Sequence, residues 1–164
     1  MQTEGEIRTL SRGEVSAAWA LEVAGYPAEE AASLAKLEYR QRVAGELFLG
    51  HFINGKLVGY ICATRSIVDH YTMRCLEDHD PEGTTVCIHS VCVDQAWRHC
   101  GIALSLLRHF LEVVACSCPT ARRVSLISHQ HILPLYAKAG FTMIGPSSVT
   151  CGPDTWYECA IDLT

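Results

Sequence analysis

The chain of 164 residues predicts one domain of the α/β class: a mixed sheet, α+β in its pairing, with helices on both faces. Three observations predict it. Asn54-Gly55 separates two strand-like runs, the signature of a two-residue hairpin and so of antiparallel strands. Thr85 to Val93 is a strand-like apolar run, Ala103 to Val114 a helical one, and Val124 to Ser128 a short buried strand. That strand–helix–strand unit implies a parallel pair joined by a crossover. Finally, helical spacing recurs on both sides of the hairpin, so helices are available for both faces.

The elements follow in order. Glu6 to Leu10 reads as a first strand. Gly13 to Ala24 places Val15, Ala18, Trp19 and Val23 at helical spacing. Gly25-Tyr26-Pro27 breaks that helix, and Pro27 is suited to open the next one, over Ala28 to Ala44, with Ala31, Leu34, Ala35, Leu37 and Val43 as its stripe. Glu46 to Phe52 and Leu57 to Thr64 are the hairpin strands. Ser66 to Thr85 is polar, with Pro81 and Gly83 near its end, and reads as a long loop of the kind that often carries function. After the strand–helix–strand unit, His131 to Ala139 is a short helix closed by Gly140. Phe141 to Ile144 and Trp156 to Leu163 are the last strands. The order is β-α-α-β-β-β-α-β-α-β-β, with one domain over 1–164.

Composition narrows the function. Thirteen basic against 18 acidic residues give a net charge of −5, with no Lys/Arg block, which argues against nucleic acid and mildly favours cationic substrates. No apolar run is long enough to span a membrane, and the polar, acidic start does not resemble a signal peptide. Nine cysteines, most inside apolar runs and with no C-x-x-C pair, read as small hydrophobes of a reducing cytoplasm, not as a metal site. The expectation is a cytoplasmic monomer acting on small molecules, without a metal.

The turn Arg98-His99-Cys100-Gly101-Ile102-Ala103 joins the central strand to a helix. A glycine there lets an anion approach free backbone N–H groups at the positive end of the helix dipole. An ordinary strand–turn–helix connection has the same local pattern. The spacing matches neither the dinucleotide nor the P-loop glycine pattern.

Arg98-x-x-Gly101-x-Ala103 after an apolar strand resembles the pyrophosphate loop of the GCN5-related N-acetyltransferases, and the element order matches theirs over nearly the whole chain. Cys87-Ile88-His89-Ser90-Val91, the run Leu133 to Phe141, and Gly145-Pro146-Ser147 resemble the arylalkylamine (serotonin) N-acetyltransferases. Tyr26-Pro27-x-x-Glu30-Ala31-Ala32-Ser33-Leu34, and Arg40-Gln41, resemble the non-vertebrate branch of that family. The resemblance implies acetyl-CoA as cosubstrate and a small aromatic alkylamine as acceptor, in a ternary complex. It implies His89 as base or member of a water chain, and Tyr136 as acid toward the thiolate. It implies CoA contacts from Val91, Cys92 and Val93, whose backbone would pair with the pantetheine arm, from His99, Cys100, Gly101, Ile102, Ala103 and Leu104, and from Tyr136. It implies amine contacts from Tyr26, Pro27, Val91 and Ile127.

One departure stands out. The vertebrate pattern has two histidines on this strand; here Cys87 occupies the first position and only His89 remains. A buried strand cysteine with no partner base is inert packing in most folds. His129 and His131 flank the amine site in the family layout, where they either assist proton removal or cap the next helix. Polyamines, amino acids or protein N-termini are alternative acceptors, and a non-catalytic acyl-CoA-binding protein is an alternative class.

Overall fold

The structure is a computed structural model that describes residues 5–163. Seven strands form one sheet: β1 (Gly5–Thr9), β2 (Phe48–Ile53), β3 (Lys56–Ser66), β4 (Thr85–Val93), β5 (Arg123–Ser128), β6 (Thr142–Pro146) and β7 (Tyr157–Asp162). Their spatial order is β1-β2-β3-β4-β5-β7-β6, with only the β4–β5 pair parallel. The helices are α1 (Val15–Gly25), α2 (Leu34–Val43), α3 (Met73–Glu77), α4 (Ile102–Ser117) and α5 (Leu133–Lys138). The mixed sheet, the crossover and the hairpin at Asn54-Gly55 are as expected. Both turn residues have positive φ, 51° and 79°, as a two-residue turn matching the strand twist requires.

The alternation along β3 divides the core in two. Val58, Ile61 and Ala63 pack with Leu106, Leu107 and Phe110 of α4. Tyr60 and Cys62 face the other way, toward Val15, Ala18 and Leu37 of α1 and α2.

Three expectations need correction. The long loop over 66–85 holds the short helix α3, and buried Tyr71 and Cys75 anchor this region in a third apolar cluster with Cys87 and Val149. The helix expected over 28–44 starts only at Leu34. Pro27 instead opens a turn, its carbonyl accepting from Glu30 and Ala31 N–H, and Ser33 caps the true helix through Lys36 N–H at 3.1 Å. The α1 stripe is also rotated. Trp19 and Val23 are 37% and 52% exposed, whereas Glu22 is buried. The Glu22 carboxylate accepts from Tyr60 Oη and from Ala32 N–H, so two hydrogen bonds draw a charged residue inward.

Candidate active site

The site begins where the sheet opens. The β4–β5 ladder covers only Thr85–Cys87 against Arg123–Ser125, although both strands continue beyond it. Past Cys87 the free edge of β4 borders a gap. The β3–β4 register also shifts there: Cys62 faces Ser90 and Ala63 faces Ile88, so His89 is the extra residue of a β-bulge. A bulge re-aims a side chain, and this one places His89 in the wall of an inner pocket of about 70 Å³. Tyr26, Tyr71, Ile127, Tyr136 and Trp156 line the same pocket.

His89 is held from both ends. Thr64 Oγ1 donates to the Cys75 carbonyl at 3.1 Å, so at 2.7 Å it must accept from His89 Nε2–H. His89 Nδ1 then accepts from the Tyr71 hydroxyl at 2.8 Å. Burial first, then the positive charges of Arg40 and Lys36, hold the imidazole well below the ordinary histidine pKa. It is therefore neutral at pH 7, and its lone pair reaches the pocket only through Tyr71. Tyr136 is buried against Phe141, and desolvation raises its hydroxyl above the usual phenol range, which keeps it a protonated donor. Cys87 is fully buried, and its hydrogen bond with Cys75 and its burial hold it firmly as a thiol.

A cleft of about 780 Å³ runs from this pocket's Tyr26–Val91 wall to the N-terminus of α4. Val91, Cys92, Val93, His99, Gly101, Ile102, Ala103 and Leu104, all among the residues the resemblance assigns to CoA, line it. Two expectations land elsewhere: Cys100 is exposed and outside the lining, and Tyr136 lines the inner pocket instead. The Val91 carbonyl already accepts from Tyr26 Oη at 2.9 Å, with a second lone pair left for another donor.

Gly101 has φ +80°, and a Cβ built there would meet nothing within 4 Å. Ser105 N–H is the first in α4 to find a helical acceptor, the Gly101 carbonyl. The N–H groups of Ile102, Ala103 and Leu104 therefore point outward with the helix dipole, beside open space. Arg98 and Lys138 add positive charge to the walls. This cradle fits a pyrophosphate. Lys138 lies on the face of α5 shared with Leu135, one turn from Ile132, and all three line the cleft. The sequence reading missed that face, though its spacing of three residues was visible.

The outer cleft, about 880 Å³, is lined by Tyr26, Pro27, Glu30, His129, His131, Asp154 and Tyr157 among others. Tyr26 thus borders all three cavities, at the junction of the two long clefts.

Known proteins share this architecture. The structure superposes on the loading GNATL domain of CurA from Lyngbya majuscula with TM-score 0.84, covering 97% of this chain and 98% of that one at 12% identity. A GNAT-like decarboxylase, GphF, solved with isobutyryl-CoA, gives TM-score 0.82 at 19% identity, covering 96% and 98%. At the sequence level, serotonin N-acetyltransferase of Mesocricetus auratus is 34% identical over 118 residues, which cover 72% of this chain and 56% of that protein. The human serotonin N-acetyltransferase is 30% identical over the same shares. The curated relatives are thus matched over little more than half their length. Residues 15–141 match the Acetyltransferase (GNAT) family, a span that contains the bulged strand, the Gly101 turn and Tyr136; the chain belongs to that family.

Proposed function

We propose that the protein transfers an acetyl group from acetyl-CoA to the nitrogen of small aromatic alkylamines of the tryptamine, serotonin and phenylethylamine type. The observation that carries this is the layout of the gap beside β4. The anion cradle at Gly101 lies at one end, and a pocket walled by Tyr26, Tyr71, Tyr136 and Trp156 at the other. Aromatic walls suit an aromatic acceptor through offset and edge-to-face packing. The likeness to serotonin N-acetyltransferases supports the same class.

In this reading the backbone of Val91 and Val93 orients the pantetheine arm and the first turn of α4 holds the pyrophosphate. Tyr136 supplies the proton that the departing sulfur takes. His89, through the Tyr71 hydroxyl, receives the proton that the nitrogen sheds as the amide forms. One proton lost by nitrogen and one gained by sulfur cancel, so these steps need no net charge change in the pocket.

Steady-state release of free CoA with tryptamine, spermine or an N-terminal peptide tests the proposal. Tryptamine should give the highest kcat/KM. A preference for spermine would favour a polyamine acceptor, a reading that Glu30 and Asp154 in the outer cleft also suit. Tight acetyl-CoA binding with no turnover on any amine would leave only an acyl-CoA-binding protein.

A further inference from the structure

An alkylamine with a pKa near ~10 arrives as ammonium. It must lose one proton before it can attack and a second as the amide forms. The inner pocket is poorly built for the first. Both His89 nitrogens are engaged, and its lone pair is covered by Tyr71.

The outer cleft has what the inner pocket lacks. His129 Nε2 lies 2.7 Å from Glu30 Oε1, and the two side chains are only 15% and 8% exposed. A carboxylate only accepts, so Nε2 carries the hydrogen and the lone pair lies on Nδ1. No hydrogen bond among the described residues engages that atom. The imidazole packs tilted against Trp156, ring centroids 4.0 Å apart and planes at 35°, and Trp156 also walls the inner pocket. Trp156 is itself fixed by its indole N–H, which donates to the Cys151 carbonyl at 2.8 Å.

We propose that Glu30 and His129 form a carboxylate–imidazole dyad that receives the substrate's ammonium group and takes its first proton, with His129 as the catalytic base and Glu30 as its positioning residue. This rests on the amine-acetylating reading above. The step is R–NH3⁺ plus neutral His129 giving R–NH2 plus imidazolium. The Glu30 carboxylate stabilises that imidazolium, and the proton then leaves through the open cleft. With the second proton going to His89 and one from Tyr136 going to sulfur, the net release is one proton per turnover. The titratable groups around His129 are Glu30, stacked His131, and the cleft-lining Asp154, Tyr26 and Tyr157, with Cys151 close to Glu30. Two carboxylates in that set draw a cation inward.

The test compares wild type with His129→Gln, Glu30→Gln and the double variant, using tryptamine and acetyl-CoA. His129→Gln should lower kcat/KM about 10²-fold and flatten its acid limb, with acetyl-CoA affinity unchanged. Glu30→Gln should cost less, and the double variant no more than His129→Gln alone, because the pair acts as a unit. Free imidazole should restore part of the rate to His129→Gly, which a structural role would not allow. A folded His129→Gln with wild-type kcat/KM and an intact acid limb overturns the proposal, as do fully additive losses.

A binding measurement separates this from failure of the substrate reading. Tryptamine added to wild-type protein should shift the His129 ring resonances in histidine-selective NMR, and should shift them less in Glu30→Gln. Those shifts without any acetylation of tryptamine would sink the arylalkylamine reading and uphold the dyad as an ammonium receptor. No shift at saturating tryptamine in an enzyme that acetylates it would sink the dyad.

Discussion

Replacing Gly101 by valine separates backbone strain from anion binding. The residue has φ +80°, where an L side chain costs about 1–2 kcal/mol, somewhat more if β-branched. Apart from the adjoining residues, nothing lies within 4 Å of the added Cβ, so backbone strain dominates the folding penalty. Domains are typically stable by about 5–15 kcal/mol, so the variant should fold, with a Tm lower by roughly 2–8 °C. Binding should suffer more. The new side chain fills the space beside the Ile102–Leu104 N–H groups, where a phosphate would sit. Losing one or two charge-assisted hydrogen bonds at about 1.5–3 kcal/mol each weakens acetyl-CoA by on the order of 10- to 10⁴-fold. Gly55 provides the matched control: its φ is +79°, its Cβ also meets nothing within 4 Å, and it lies in the hairpin turn. Gly55→Val should lose comparable stability and bind acetyl-CoA normally. Calorimetric titration of both variants decides. Equal affinities in the two folded proteins would refute the pyrophosphate role of the α4 turn.

Tyr136→Phe keeps the ring packed against Phe141 but removes the proton, so kcat for thiol release should fall about 10²-fold with little change in amine KM. His89 has a folded pKa below its unfolded value, so the unfolded chain binds more protons as pH drops under about 6.5. Stability is therefore full above that pH and falls below it, and His89→Gln should flatten the decline measured by denaturant titration from pH 7 to 5. Cys87→Ala should leave the pH–rate profile nearly unchanged, because the fully buried thiol only packs; a trapped acetyl-cysteine by mass spectrometry would contradict this.

Much of this was legible in the residues. The hairpin could be read because Asn54-Gly55 carries its own positive-φ chemistry, and the Gly101 turn because glycine was required where the backbone turns left-handed. The β-bulge at His89 could not be read. It arises from the register between β3 and β4, and nothing local in Ile88-His89-Ser90 sets that register. The bulge explains why a strand histidine reaches a pocket, and the clamp by Thr64 and Tyr71 explains why it does so only indirectly. The inward turn of Glu22 was hidden for a similar reason. Apolar spacing favoured Trp19 and Val23, but hydrogen bonds from Tyr60 and Ala32, distant in sequence, overrode it. Glu30 was visible in the Tyr26-Pro27-x-x-Glu30 motif, but its pairing was not, because its partner lies ninety-nine residues away.

The most direct test of the account is a competition for one acetyl donor. Acetyl-CoA is incubated with equimolar tryptamine and spermine, and the products and free CoA are quantified by mass spectrometry. The account predicts N-acetyltryptamine as the main product, in one-to-one yield with CoA, with the initial rates of both falling about 10²-fold when Tyr136 is phenylalanine. Predominant acetylspermine, or CoA release without an acetylated amine, would contradict it.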